Sequence, residues 1–331
     1  MSVPRLAIVT PVFDDWDAFQ RLVVELGDNC AAAGQPVELI VVDDGSNAPF
    51  DAARLALPRG GAISAVTILH LALNLGSQRA IAVGLTEAAA EPDLEAVLVM
   101  DGDGEDRPAD VPRLLARHAA EPAAVILARR SRRSESATFR AGLWVYKRLF
   151  SILAGQTVDF GNFSLLPIAA VRRLTHMPEL WNNLPAAVMR SRLPYRLEPT
   201  ERGRRYAGES KMTWVNLVIH GMSALSVYSD VIFVRLLVAA AAIAVIALIA
   251  IVTAIVMRLA TDLATPGWAT TVVGVFALVL MQILLATIVA SLALLGGRSR
   301  RHFVPKIDCG QFIAWRETVT AGDPSQTEIA R

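Results

Sequence analysis

Cysteine is nearly absent: Cys30 and Cys309 are the two in 331 residues and lie far apart, which supports neither a disulfide framework nor a cysteine metal site. The five histidines, His70, His118, His176, His220 and His302, are scattered without metal-ligand spacing and receive no role. An excess of either charge is missing too, since 32 Lys and Arg face 31 Asp and Glu for a net +1. That balance argues against a general nucleic-acid binder, and no nucleic-acid partner is expected. The opening "MSVPRLAIVTPVF" lacks the long apolar stretch of a secretory signal and runs straight into a strand pattern, so nothing is expected to export the N-terminal part. No G-x-G-x-x-G follows a strand and no G-x-x-x-x-G-K-S/T occurs, which excludes a dinucleotide dehydrogenase and a P-loop NTPase. A nucleotide here would have to be held by acids and a metal.

Apolar residues, by contrast, make up 53% of the chain. Much of the excess lies in Leu236 to Met257 and Trp268 to Leu295, neither of which contains a charge. At roughly 1.5 Å rise per residue each is long enough to cross a hydrocarbon core of about 30 Å, so both are expected to be transmembrane helices. Gln282, deep in the second, is expected to bond a neighbouring helix or subunit. Arg235 precedes the pair and Arg298, Arg300, Arg301 and Lys306 follow it, whereas the loop between carries Arg258 offset by Asp262. The positive-inside rule then places both termini in the cytoplasm, with a two-pass anchor in the plasma membrane. The stretch from Thr213 to Val234, interrupted by His220 and Asp230, suits an amphipathic helix lying on the bilayer. The expected divisions are 1–211, a cytoplasmic domain; 212–235, the juxtamembrane helix; 236–297, the hairpin; and 298–331, a cytoplasmic tail.

Before the membrane segments, short apolar runs ("RLAIVTPVF", "VELIVVDDGS", "AVTILHLAL", "EAVLVM", "AAVILA") alternate with helical patterns. This is the signature of an α/β fold with a mainly parallel sheet covered on both faces. Ligands of such sheets bind beyond the carboxyl ends of the strands. Asp43 and Asp44 end the second run and Asp101 and Asp103 follow the fourth, so all four are expected to line one crevice.

"DGDGEDRP" fails as a calcium loop, because positions six and twelve counted from Asp101 hold Asp106 and Pro112. An isolated D-x-D is often only a solvated turn. Placed at a strand end opposite other acids, it suits a hard divalent cation that shares oxygen ligands with substrate phosphates.

Taken in order, "VTPVF", "VVDDGS", "LNLGSQRA", "MDGDGEDRPADVPRL", "VDFGNFSLL" and "RYAGESKM", followed by two apolar spans, resemble the polyprenyl-phosphate glycosyltransferases of glycosyltransferase family 2. That group includes dolichyl-phosphate mannose synthases and bactoprenol glucosyltransferases. The resemblance implies a nucleotide-sugar-binding, GT-A-like domain in which Pro11 and Val12 lie near the base and Asp43 contacts the nucleotide. It puts Asp101 on the ribose side and gives Asp103 the Mg²⁺ or Mn²⁺ that bridges the diphosphate. Asp106 falls at the family's "QDPP" aspartate and Asp159 near the reacting sugar, while Arg205, Ser210 and Lys211 belong to a phosphate-holding loop. "PVFDD", "DGSNAPF" and "NLGSQRAI" depart from the usual motifs and mark a subgroup.

The implied reaction is inverting, metal-dependent transfer of a hexose from a nucleotide sugar to polyprenyl (undecaprenyl) phosphate. Two other readings stay open: transfer to another membrane acceptor, such as a glycolipid or polysaccharide, and a non-catalytic membrane scaffold. Arg205 and Lys211 also fit, compatibly, a basic loop drawn to anionic lipid. Arg129, Arg130, Arg132 and Arg133 read as a basic loop able to close over substrate. A homo-oligomer is expected, because two spans alone bury little lipid-facing surface.

Overall fold

The computed structural model describes residues 5–48, 50–51, 55, 57, 60–130, 137–156, 160–206, 214–260, 267–298, 301–321 and 327–330. In chain order they form β1 (Arg5–Val12), α1 (Trp16–Ala32), β2 (Val37–Asp43), β3 (Ile63–Leu71), α2 (Ser77–Ala90), β4 (Leu94–Val99), α3 (Val111–Ala120) and β5 (Val125–Arg130). There follow α4 (Ala137–Ala154), β6 (Ser164–Pro167), α5 (Ile168–Thr175), α6 (Leu184–Arg190), β7 (Tyr195–Thr200) and α7 (Trp214–Ser226). Last come α8 (Ser229–Ala260), α9 (Trp268–Arg298), β8 (Ile313–Thr320) and β9 (Thr327–Ala330). Two compact units result, one of Met1–Lys147, Thr157–Val227 and Phe303–Arg331, the other of Arg148–Gln156 and Tyr228–His302.

In the first unit nine strands form one sheet in the order β7-β5-β6-β4-β1-β2-β3-β8-β9. Only β6 and β8 run against the other seven. The central strands are apolar on both faces because both are covered. Leu6, Ile8 and Val12 of β1 join the core under α1 and α3, while Ala7 and Val9 join the one under α2, α5 and α6. On α1 the residues Phe19, Leu22, Val23, Leu26 and Cys30, three or four apart, form the buried stripe. Gly84 lets α2 lie close to the sheet, since a Cβ there would meet Val9 at 2.5 Å.

Residues 298–331, expected as a tail, instead include β8 and β9, with β8 antiparallel to β3 and β9 to β8. The run "IAWRETVT" is too polar to announce a buried strand, yet the open edge of β3 supplies the partner that its backbone needs. The same segment buries Cys309 and packs Phe303 against Trp181, with ring centroids 4.0 Å apart.

The helix expected across Thr213 to Val234 is two helices. α7 stops at Ser226, and after a turn at 227–228 α8 begins at Ser229. Asp230 is therefore no interruption; it lies in the first turn of the long helix, where the dipole favours an acid.

In the second unit Ser229–Ala260 and Trp268–Gly297, of mean hydropathy 3.0 and 2.7, are long and apolar enough to cross a membrane. Few residues of either are buried by protein.

Candidate active site

The carboxyl ends of parallel β4, β1, β2 and β3 lie side by side, which brings Asp101, Val12, Asp43 and His70 to one edge of the sheet. Each is followed by a loop that its own polar groups hold in place. Asp43 Oδ1 accepts the Ser46 N–H at 2.9 Å. Asp44, almost wholly buried, accepts the N–H groups of Leu75 (2.6 Å) and Gly76 (2.9 Å), clamping "DDGS" to "NLGS". Burial raises the Asp44 pKa, and those two N–H groups oppose the shift. Gly45 sits at φ +73° with Asn74 N only 2.7 Å from where its Cβ would be. Asp14 adopts φ +48° and accepts the backbone N–H and side-chain amide of Asn47 (2.7 and 2.8 Å). The acid at this departure from the usual motif therefore braces the β2 loop.

The D-x-D loop closes on itself. Asp106, also buried, accepts the Asp101 N–H at 3.0 Å, and Asp103 Oδ1 accepts the Glu105 N–H at 2.9 Å. Its other oxygen accepts from Arg205 Nε at 3.0 Å, joining two expected site residues 102 positions apart. Burial pulls the Arg205 pKa down, but the bond to Asp103 and the charges of Asp103, Glu105 and Asp15 outweigh it, and the net shift is upward. The strap preceding Arg205 is zipped onto the loop: Gly203 N donates to Glu105 O (2.9 Å), Tyr206 N to Asp103 O (3.0 Å), and Arg202 grips both Glu105 oxygens (2.8 and 2.9 Å). Tyr206 caps the strap by donating to Glu25 at 2.7 Å. Only glycines permit this approach, since a Cβ on Gly203 would stand 2.1 Å from the Gly104 carbonyl oxygen. A cleft of about 600 Å³ borders the strap and is lined by Arg21, Arg107, Arg202, Arg204 and Arg205.

Pro11 and Val12 end β1. Asp159, Ser210 and Lys211, with Arg132 and Arg133, lie outside the described residues. Two residues at this edge had no role in the sequence reading. Gln78 bridges Asn162 Oδ1 (2.8 Å) and the Leu184 N–H (3.0 Å), tying "SQRA" to "GNFS". His70 bonds Asp43.

Among the described residues no three His, Cys, Asp or Glu side chains form a metal cage. Mg²⁺ and Mn²⁺ do not need one, because one or two carboxylates plus water and substrate phosphates suffice. Partly exposed Asp101 and Asp103 fit that requirement.

An α/β sheet, parallel at its centre, with a D-x-D loop and a second acid at neighbouring strand ends defines a GT-A-like domain. Residues 7–174, half of the chain, match glycosyl transferase family 2, and the chain belongs to that family. It is 27% identical over 161 residues to an undecaprenyl-phosphate 4-deoxy-4-formamido-L-arabinose transferase of Klebsiella pneumoniae, covering 48% of this chain and 47% of that protein. The transferase of the same name from Proteus mirabilis is 29% identical over 137 residues, covering 41% and 40%. The match thus spans about half the length of these relatives. A solved structure of glucosyl-3-phosphoglycerate synthase from Mycobacterium tuberculosis, with Mn²⁺, UDP-glucose and phosphoglyceric acid, superposes with a TM-score of 0.47 at 13% identity, covering 69% of this chain and 80% of that one.

Proposed function

We propose that this chain transfers a hexose from a nucleotide-diphosphate sugar to polyprenyl phosphate, with inversion, at the cytoplasmic face of the plasma membrane. The pairing of Asp103 with Arg205 carries the reading, because it sets a cation-holding acid beside a phosphate-gripping arginine at the carboxyl ends of parallel strands. The two apolar helices support a lipid acceptor. The names of the relatives support undecaprenyl phosphate.

On this reading Pro11 and Val12 lie near the base, Asp43 contacts the nucleotide and Asp101 the ribose, while Asp159 lies by the reacting sugar. A lipid phosphate, with a second pKa of about 6, is largely dianionic at neutral pH and needs no strong base. Its oxygen forms the new bond to the anomeric carbon as the bond to the nucleoside diphosphate breaks. Arg205, Ser210 and Lys211 hold the phosphates in line, arginine through its planar fork. Mg²⁺ or Mn²⁺ on Asp103, with Asp101 beside it, would supply charge neutralisation for the departing diphosphate.

The test incubates the full-length protein with undecaprenyl phosphate, Mg²⁺ or Mn²⁺ and labelled UDP- and GDP-hexoses. Nucleotide-linked 4-deoxy-4-formamido-L-arabinose joins the panel because of the relatives' names. Label is expected in the lipid phase from one donor and is expected to fall at least about 100-fold in Asp103→Asn. Donor binding without lipid label would overturn the acceptor, and absence of any donor binding would leave the scaffold reading.

A further inference from the structure

The in-register partners of Val12 continue across the sheet as Asp43 on β2, His70 on β3 and Trp315 on β8. Residues paired this way share one face of a sheet. The proposed donor site thus extends by two residues, one of them from the strand that follows the membrane hairpin. His70 is 5% exposed, and its Nδ1 donates to Asp43 Oδ2 at 2.8 Å. Its ring lies flat on Trp315, with centroids 3.5 Å apart and planes 8° from parallel. Glu317 brings Oε2 to 3.6 Å from Nε2, outside hydrogen-bond range, where it forms an ion pair only with a protonated ring.

We propose that His70 is a positioning residue for the donor nucleotide, fixing the Asp43 carboxylate while Trp315 and Glu317 of β8 fix the imidazole. The inference rests on the reading of Asp43 as a nucleotide contact. With Ser46 on one oxygen and His70 on the other, the carboxylate has a single orientation, yet each oxygen keeps a lone pair for a ligand. A group ordered in advance loses no freedom when the ligand arrives, and that saving appears as affinity. An apolar side chain could fill the His70 position without the desolvation cost of a buried imidazole between two acids. What it could not do is hold Asp43.

The experiment measures UDP and GDP binding by calorimetry on the full-length protein, with thermal midpoints recorded in parallel. His70→Phe is expected to weaken the better nucleotide about tenfold, the loss of one charge-assisted hydrogen bond. His70→Asn, which returns an N–H donor near Nδ1, is expected to recover most of that loss. Glu317→Gln, which keeps size and fold, is expected to weaken binding about threefold. In transfer assays KM for the donor should rise with kcat within about twofold. Unchanged affinity in both His70→Phe and Glu317→Gln, or a fall in kcat at constant KM, would overturn the proposal while leaving the donor site intact. If His70→Phe does not fold, unchanged affinity in Glu317→Gln alone overturns it. A wild type that binds neither nucleotide would instead overturn the donor-site reading itself.

Discussion

Cys30 and Cys309 are each 1% exposed or less, and burial pushes both thiols up to about 11. Thiolate, the reactive form, is then scarce at neutral pH and grows as pH rises. Neither cysteine should react with a disulfide reagent at pH 7 to 8, and labelling should climb steeply only toward pH 11 or on addition of denaturant, as a colorimetric thiol assay would read. Gly203 is the other sensitive residue. Gly203→Ala forces the strap off the Gly104 carbonyl and displaces Arg205 from Asp103, so transfer should drop at least about tenfold, with a thermal midpoint changed little. That Asp43, Asp44 and Asp101 stand at neighbouring strand ends was legible because each follows an apolar run that reads as a strand. His70 was not, since sequence spacing hides a neighbour that exists only across the β2–β3 register, 27 residues away. Its one signal was a lone imidazole inside the apolar run "TILHLAL". Asp106, at the "QDPP" position, has a carboxylate that closes the loop presenting Asp101.

At the scale of elements, the clearest dependence is that of α1 on Phe19, which is fully buried against the sheet. Phe19→Ala should cost about 3–5 kcal/mol, seen as a lowered thermal midpoint of the detergent-solubilised protein. A second dependence is that of β3 on β8. Ending the chain after Arg301 would expose a long apolar edge of the kind that pairs with other chains, and size-exclusion chromatography should show aggregates. The central strands and long helices were legible because periodicity alone separates them. β8 and β9 were not, because their polar alternation becomes a strand only against a partner. Likewise the α7–α8 turn was invisible in an apolar stretch whose two flanks are both helical; buried Tyr228, edge-on to Phe150, marks it.

At the scale of the whole molecule, two long apolar helices should keep the protein in the membrane pellet after alkaline carbonate washing. Two crossings would return the chain to the side it left, so tags near residues 1 and 331 should show the same protease accessibility in sealed vesicles, and opposite accessibility would rule out a two-pass anchor. The strand beyond the hairpin adds an order of events in time. A ribosome must make the whole hairpin before it makes Trp315 and Glu317, so the earlier strands emerge from it with the β3 edge open. The nascent domain is completed only after the anchor has emerged, and a chain stalled within the hairpin would lack the wall behind Asp43.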